Sequence, residues 1–135
     1  MPPIVTHLHT KPAPGQKMET KAIVDIVTGK GISGDASYGR KKKQILIAST
    51  SLLSQLRLHP GDLRENIVVG DLNVDMLPTE ADSSIGNTRL VIMGPCEPCP
   101  RMDEIRPGLQ AKFKGRRGVL ARALSNSQIF VGDPV

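Results

Sequence analysis

The chain has 135 residues, 39% of them hydrophobic but only 2% aromatic, and 18 Lys and Arg against 13 Asp and Glu give a net charge of +5. That length suits a single domain over residues 1–135, with a core of Ile, Val and Leu that needs no disulfide staples. Too few aromatics are present for a single-strand stacking surface, and no apolar run approaches the ~20 residues of a membrane span or forms a signal peptide. The composition therefore points to a cytoplasmic protein with neither a nucleic acid nor a membrane as partner.

β-Branched and apolar residues cluster between turn signals over residues 4–9, 22–28 and 44–48, which predicts strands there. "TKPAPGQKMET" between the first two reads as a loop by its Pro and Gly. The glycine-rich "GKGISGDASYG" after the second favours backbone freedom over side-chain packing. One helix is expected over residues 50–58, N-capped by Ser49 or Thr50, with Leu52, Leu53 and Leu56 on one face and "HPGD" ending it. Further strands are expected over residues 66–69, 72–76, 88–93, 118–124 and 128–131, separated by short Gly, Asn and Ser turns. Short strands at this spacing predict a mainly β fold, a β-barrel with one or a few short helices rather than a βαβ sheet.

The two cysteines, Cys96 and Cys99, sit together in "GPCEPCPRMD" among Pro95, Pro98 and Pro100. A reducing compartment disfavours a structural disulfide. A zinc site needs four ligands, and the histidines are only His7, His9 and His59. His7 and His9 share a strand face, where they read as ordinary polar residues rather than half of a zinc site. A redox pair needs a strand feeding a helix N-terminus, whereas the prolines suit an extended turn with a helical start from Pro100. That geometry puts Cys99 at or beside an N-cap, where a thiolate is favoured. Cys99 is the candidate reactive or metal-ligating sulfur and Cys96 its bystander.

Two polar clusters remain. In "PGDLRENIVV", Arg64, Glu65 and Asn66 adjoin the mouth of a strand, where guanidinium, carboxylate and amide either order a polar ligand or form a solvated turn. Arg40 with Lys41, Lys42 and Lys43 forms either a solvated loop or a set of phosphate contacts beside "GISGD".

Taken in order, "GISGDASYG", "RKKKQILIAS", "PGDLRENIVV", "TRLVIMGPCEPCPRM", "RRGVLARAL" and "VGDPV" resemble the MOSC domain throughout. The Gly-Ile-x-Gly-Asp, Pro-Gly-x-x-x-Glu-Asn, Pro-Cys and terminal Gly-Asp-x-Val signatures occur in the family's order. The resemblance implies a MOSC-type β-barrel and a role in binding the molybdenum cofactor, a molybdopterin with a phosphate tail, or in carrying sulfur on a cysteine. In relatives that reduce N-hydroxylated compounds a cysteine thiolate ligates molybdenum, and by motif position that cysteine is Cys99. The same resemblance puts Asn66 in the cofactor pocket with Arg64 beside it, and Glu65 joins them as a cofactor-binding candidate from the same cluster. Arg40 is available to its phosphate or oxo groups, and Asp35 is available to bond the pterin or cap a turn. Nothing in the chain resembles a flavin or iron–sulfur domain, so a reductase of this kind would take electrons from a partner protein. The alternative is a non-catalytic carrier or binding module that hands sulfur or the cofactor to an accepting protein.

Overall fold

The computed structural model describes residues 3–13, 17–40, 44–70, 72, 78–95 and 118–135. Their elements in chain order are β1 (Ile4–Thr10), β2 (Glu19–Lys21), β3 (Ile23–Val27), β4 (Gly31–Ile32), β5 (Ile45–Ser49), α1 (Thr50–Gln55), β6 (Ile67–Gly70), β7 (Asp82–Ile85), β8 (Thr88–Pro95), β9 (Val119–Ala123) and β10 (Ser127–Phe130). The fold is mainly β, as the strand patterning predicts.

Among the described residues the strands form two open sheets, not a closed barrel: a seven-stranded sheet ordered β2-β1-β6-β5-β9-β8-β7 and a three-stranded one ordered β10-β3-β4. Closure would require the two edge strands to pair, and β2 and β7 lie at opposite ends of the larger sheet. All pairings are antiparallel except β5 with β6, which run parallel. A parallel pair needs a crossover, and α1 supplies it. One βαβ unit therefore stands inside a sheet where none was expected.

Side-chain alternation explains why the unit packs where it does. Ile45 and Ile47 of β5, Ile67 and Val69 of β6, and Val119, Ala121 and Ala123 of β9 bury one face against Val24, Ile26, Ile32 and Ile129 of the smaller sheet. The opposite face of β6 offers Val68, which α1 and the loop after it cover with Leu52, Leu53, Leu58 and Leu63. Each of those leucines contributes about 1.5–3 kcal/mol of burial. Strands β5 and β6 are buried on both faces, so their sequences read as unbroken apolar runs.

The helix is shorter than its leucine spacing suggests. Ser49 is the N-cap, its Oγ accepting the Leu52 amide at 3.3 Å. At the other end Arg57 takes a left-handed φ of 54°. The Arg57 amide donates to the Ser54 carbonyl at 3.1 Å and the Leu58 amide to the Leu53 carbonyl at 2.9 Å. That pair of bonds is a Schellman ending, and it turns Leu58 back onto Leu53 instead of continuing the helix.

Strands β2 and β7 were not legible from the sequence because both lie at sheet edges. Strand β2 is exposed throughout and β7 buries only Ile85. The expected strand over residues 72–76 lies outside the described residues apart from Leu72, which belongs to no strand. The C-terminal "VGDPV" fastens the two sheets. The Gly132 amide donates to the Val5 carbonyl at 2.8 Å, the Val5 amide to the Asp133 carbonyl at 2.9 Å, and the Gly86 amide to the Pro134 carbonyl at 2.8 Å.

Gly118, at the entry to β9, has φ +104°, and a β-carbon there would overlap the Ile47 carbonyl of β5. Gly118→Ala is expected to lower stability by at least about 2 kcal/mol, since strained φ and a backbone clash act together. Urea denaturation followed by circular dichroism measures this, and an unchanged midpoint would show that β9 does not approach β5 so closely.

Candidate functional site

The polar signatures separated in the sequence meet at one end of the β1–β6–β5 ridge. Residues 61–66 return the chain from the helix to β6, and Arg64 within them has a left-handed φ of 61°. The Arg64 amide donates to the Gly61 carbonyl at 2.9 Å, closing a tight turn. Gly61 has φ +96°, and a β-carbon there would sit 3.7 Å from His9 Nε2, so the imidazole packs directly on the turn.

Asn66 is 5% exposed and stitches three segments. Its Nδ2 donates to the His9 carbonyl at 3.3 Å and to Asp35 Oδ1 at 3.2 Å, while its Oδ1 accepts the Leu46 amide at 3.0 Å. Its own amide donates to the Leu46 carbonyl at 2.9 Å, and its carbonyl accepts the His9 amide at 2.8 Å. Every hydrogen-bonding group of the carboxamide is engaged inside the protein.

Asp35 is buried at 7% exposure and completes the joint. Its Oδ1 accepts the Lys11 amide at 2.8 Å as well as Asn66, and its Oδ2 accepts the Ser37 amide at 3.1 Å. It thus caps the turn of "GISGDAS" and ties that turn to β1 and β6. Arg40 stands exposed at the far end of the same loop, its carbonyl accepting Gln44 Nε2 at 2.7 Å. The structure brings Asp35, Arg64, Glu65 and Asn66 together, with Glu65 fully buried. Cys96 and Cys99, with Lys41, Lys42 and Lys43, lie outside the described residues.

The burial and bonding of two residues escaped the sequence reading. Gln44 donates from Nε2 to the Gly29 carbonyl at 2.8 Å as well as to Arg40, clamping the glycine-rich loop to the start of β5. The other is His9, at 3% exposure. Its Nδ1 lies 3.2 Å from the Glu65 carbonyl, which only accepts, so Nδ1 carries the proton. The His7 ring stacks on it with centroids 6.1 Å apart and planes within 8°. The one signal for this was the pair's shared strand face. Among the described residues no three His, Cys, Asp or Glu side chains converge to hold a metal ion.

Arg64 presents the unusual group. The residue is half-buried, yet its Nη1 is buried and has no hydrogen-bond partner among the described residues. A buried donor left in this way costs about 1–3 kcal/mol, and the left-handed backbone costs roughly 1–2 kcal/mol more for a residue with a β-carbon. A donor held at such cost suits an oxyanion.

The profile of the MOSC domain matches residues 34–135, which takes in Gly34 and Asp35 of the first signature turn, the whole of the second and the C-terminal strap. The chain belongs to the MOSC domain family. Members of that family are generally linked to the molybdenum cofactor. Solved MOSC-like structures share the fold at low identity. The YuaD protein from Bacillus subtilis superposes with a TM-score of 0.81 at 18% identity, covering 98% of this chain and 93% of that one. YiiM from Geobacillus stearothermophilus gives 0.76 at 16% identity over 98% and 73%. YiiM from Escherichia coli gives 0.74 at 15% identity over 99% and 68%. No curated protein matches the sequence significantly. Among the described residues of this MOSC chain no helix is long and apolar enough to cross a membrane.

Burial lowers the His9 pKa below the ordinary imidazole value; the bond to the Glu65 carbonyl opposes this and the neighbouring His7 adds to it. The unfolded chain takes up this proton at about pH 6.5 and the folded chain only at lower pH. His9 therefore contributes stability that is present above about pH 6.5 and is lost as pH falls through the folded value. Thermal melts from pH 8 to pH 5 are expected to show that loss, and His9→Phe is expected to flatten it; an equal slope in both proteins would assign the loss to other groups.

Proposed function

We propose that this chain binds the molybdenum cofactor, with Arg64 donating to one of its oxyanion groups and the Cys99 thiolate as the sulfur that reaches the metal. The observation that supports the reading is the buried Nη1 of Arg64, unpartnered among the described residues and carried by a left-handed backbone beside the Asp35–Asn66 joint. Phosphate and oxo groups both accept from such a donor, and the guanidinium keeps its charge at every working pH. The donor set therefore fits the anionic part of the group. A thiolate is a soft ligand suited to a sulfur-rich metal centre.

Within this assignment Arg64 binds and orients, and Cys99 ligates. Asn66 and Asp35 keep their polar atoms for one another and for the backbone, so they hold the pocket wall rather than the ligand. Glu65 is part of that wall. Arg40, exposed on the glycine-rich loop, is available to a phosphate approaching from solvent. When bound, the cofactor supplies the redox centre for reducing an N–O bond, with electrons from a partner protein. A carrier that hands on sulfur or cofactor would need the same two ligands without turnover.

Metal and pterin analysis of protein purified from a host that makes molybdopterin tests the assignment. The wild type is expected to carry molybdenum and pterin. Arg64→Ala is expected to lose roughly 90% of both while remaining folded, as for loss of a charge-assisted bond. Cys99→Ser is expected to lose the metal, and Cys96→Ser to keep it. Absence of both components from the wild type would sink cofactor binding. Reduction of hydroxylamine compounds by the loaded protein with a supplied electron donor would sink the pure-carrier alternative.

A further inference from the structure

Arg64 is strained and its Nη1 has no partner among the described residues, so something must hold it where it is. A left-handed residue with a β-carbon persists only when its surroundings over-determine it. Around residues 61–66 those surroundings come largely from one residue, His9, through its main chain and its ring. The His9 amide donates to the Asn66 carbonyl at 2.8 Å, its carbonyl accepts Asn66 Nδ2 at 3.3 Å, and its Nδ1–H donates to the Glu65 carbonyl at 3.2 Å. The opposite edge of the ring packs on Gly61, where a β-carbon would lie 3.7 Å from Nε2 and 3.8 Å from Cδ2. Gly61 is also the residue whose carbonyl receives the Arg64 amide, at 2.9 Å. The imidazole thus spans the turn from Gly61 to Glu65, with Arg64 between its two points of contact.

We propose that His9 is a positioning residue for the anion-binding arginine: its ring is the template on which the 61–65 turn is folded, and it holds Arg64 in the left-handed conformation that presents the guanidinium. His9 need not touch the ligand, because its only polar ring hydrogen is committed to the Glu65 carbonyl. The ring supplies a shape for Gly61 to close on and a donor for Glu65. An aliphatic side chain at position 9 supplies neither donor nor flat face. A charged imidazole is also unsuitable at this depth, which accords with the depressed basicity of His9. The proposal rests on the cofactor-binding reading only for what the arginine binds; the templating itself concerns the turn and is open to a ligand-free measurement.

A thermal double-mutant cycle between positions 9 and 64 is that measurement. In the wild-type background Arg64→Gly removes the left-handed strain and the unsatisfied donor, so the melting temperature is expected to rise by roughly 2–6 °C. In a His9→Ala background the turn is no longer forced, and the same substitution is expected to give no rise. His9→Asn keeps a donor near Nδ1 and His9→Phe keeps the ring, so each stands in if the alanine variant fails to fold. Each is expected to restore part of the Arg64→Gly gain. An equal gain in every background would overturn the proposal, whether or not the protein binds molybdopterin.

The second readout is molybdenum and pterin content. His9→Ala is expected to lower both by roughly tenfold or more, with His9→Asn recovering a share, and Arg64→Ala is expected to add little on top of His9→Ala. Full retention in His9→Ala would overturn the proposal. If the wild type itself holds no pterin, the cofactor reading fails and the thermal cycle alone decides the role of His9.

Discussion

The constraint on which the site depends is the need to satisfy backbone polar groups where three segments meet out of water. Strand β1 ends beside the 61–66 turn, β5 begins on the other side of it, and the glycine-rich loop closes over the joint. A buried amide or carbonyl left without a partner there would cost as much as a lost hydrogen bond. Asn66 resolves this by donating to β1, accepting from β5 and holding Asp35 with the same carboxamide. Asp35 then serves Lys11 and Ser37, so the "GISGD" and "REN" signatures are two halves of one joint. Their residue types follow: an amide can donate and accept at once, and a carboxylate can take several donors at once.

Once the joint is closed, the neighbouring residues are no longer free. Leu63 is drawn under α1 and Ile67 into the main core, with Arg64 between them. Packing on both sides fixes the ends of this stretch, and the His9 ring touches the turn on either side of the left-handed Arg64. Stability given up at a single arginine is a common mark of a binding site, because the strain is supported by everything around it. The buried leucines and the strap at the C-terminus supply that support from a distance, and so the fold and the site are not separable problems in a chain of this size.

The larger sheet also divides labour between its centre and its edges. Strands β5 and β6, buried on both faces, anchor the joint rigidly, while β2 and β7 lie at the edges and carry polar residues. Such edges bury little and are held mainly by their single neighbours. The rigid centre of the larger sheet is therefore where a ligand can be held to fixed geometry, and the ordered polar network lies there rather than at the margins.

The sequence by itself determined the mainly β class, the central strands, a helix start at Ser49 or Thr50 and the grouping of Arg64, Glu65 and Asn66, since each rests on local pattern or on contiguous residues. The ordered signatures also pointed to the MOSC family over nearly its whole span. Only the tertiary structure decided that the sheets are open, that a parallel pair crosses through α1, and that the helix ends at Gln55. Strand pairing and the left-handed Arg57 are matters of long-range packing, and no local pattern encodes them. The same holds for His9. It stands fifty-two positions from Gly61, and as a strand histidine it is indistinguishable from His7 until the turn is folded against it. Chemical identity is written residue by residue, whereas the work a residue does depends on which distant backbone groups need a partner when the chain closes.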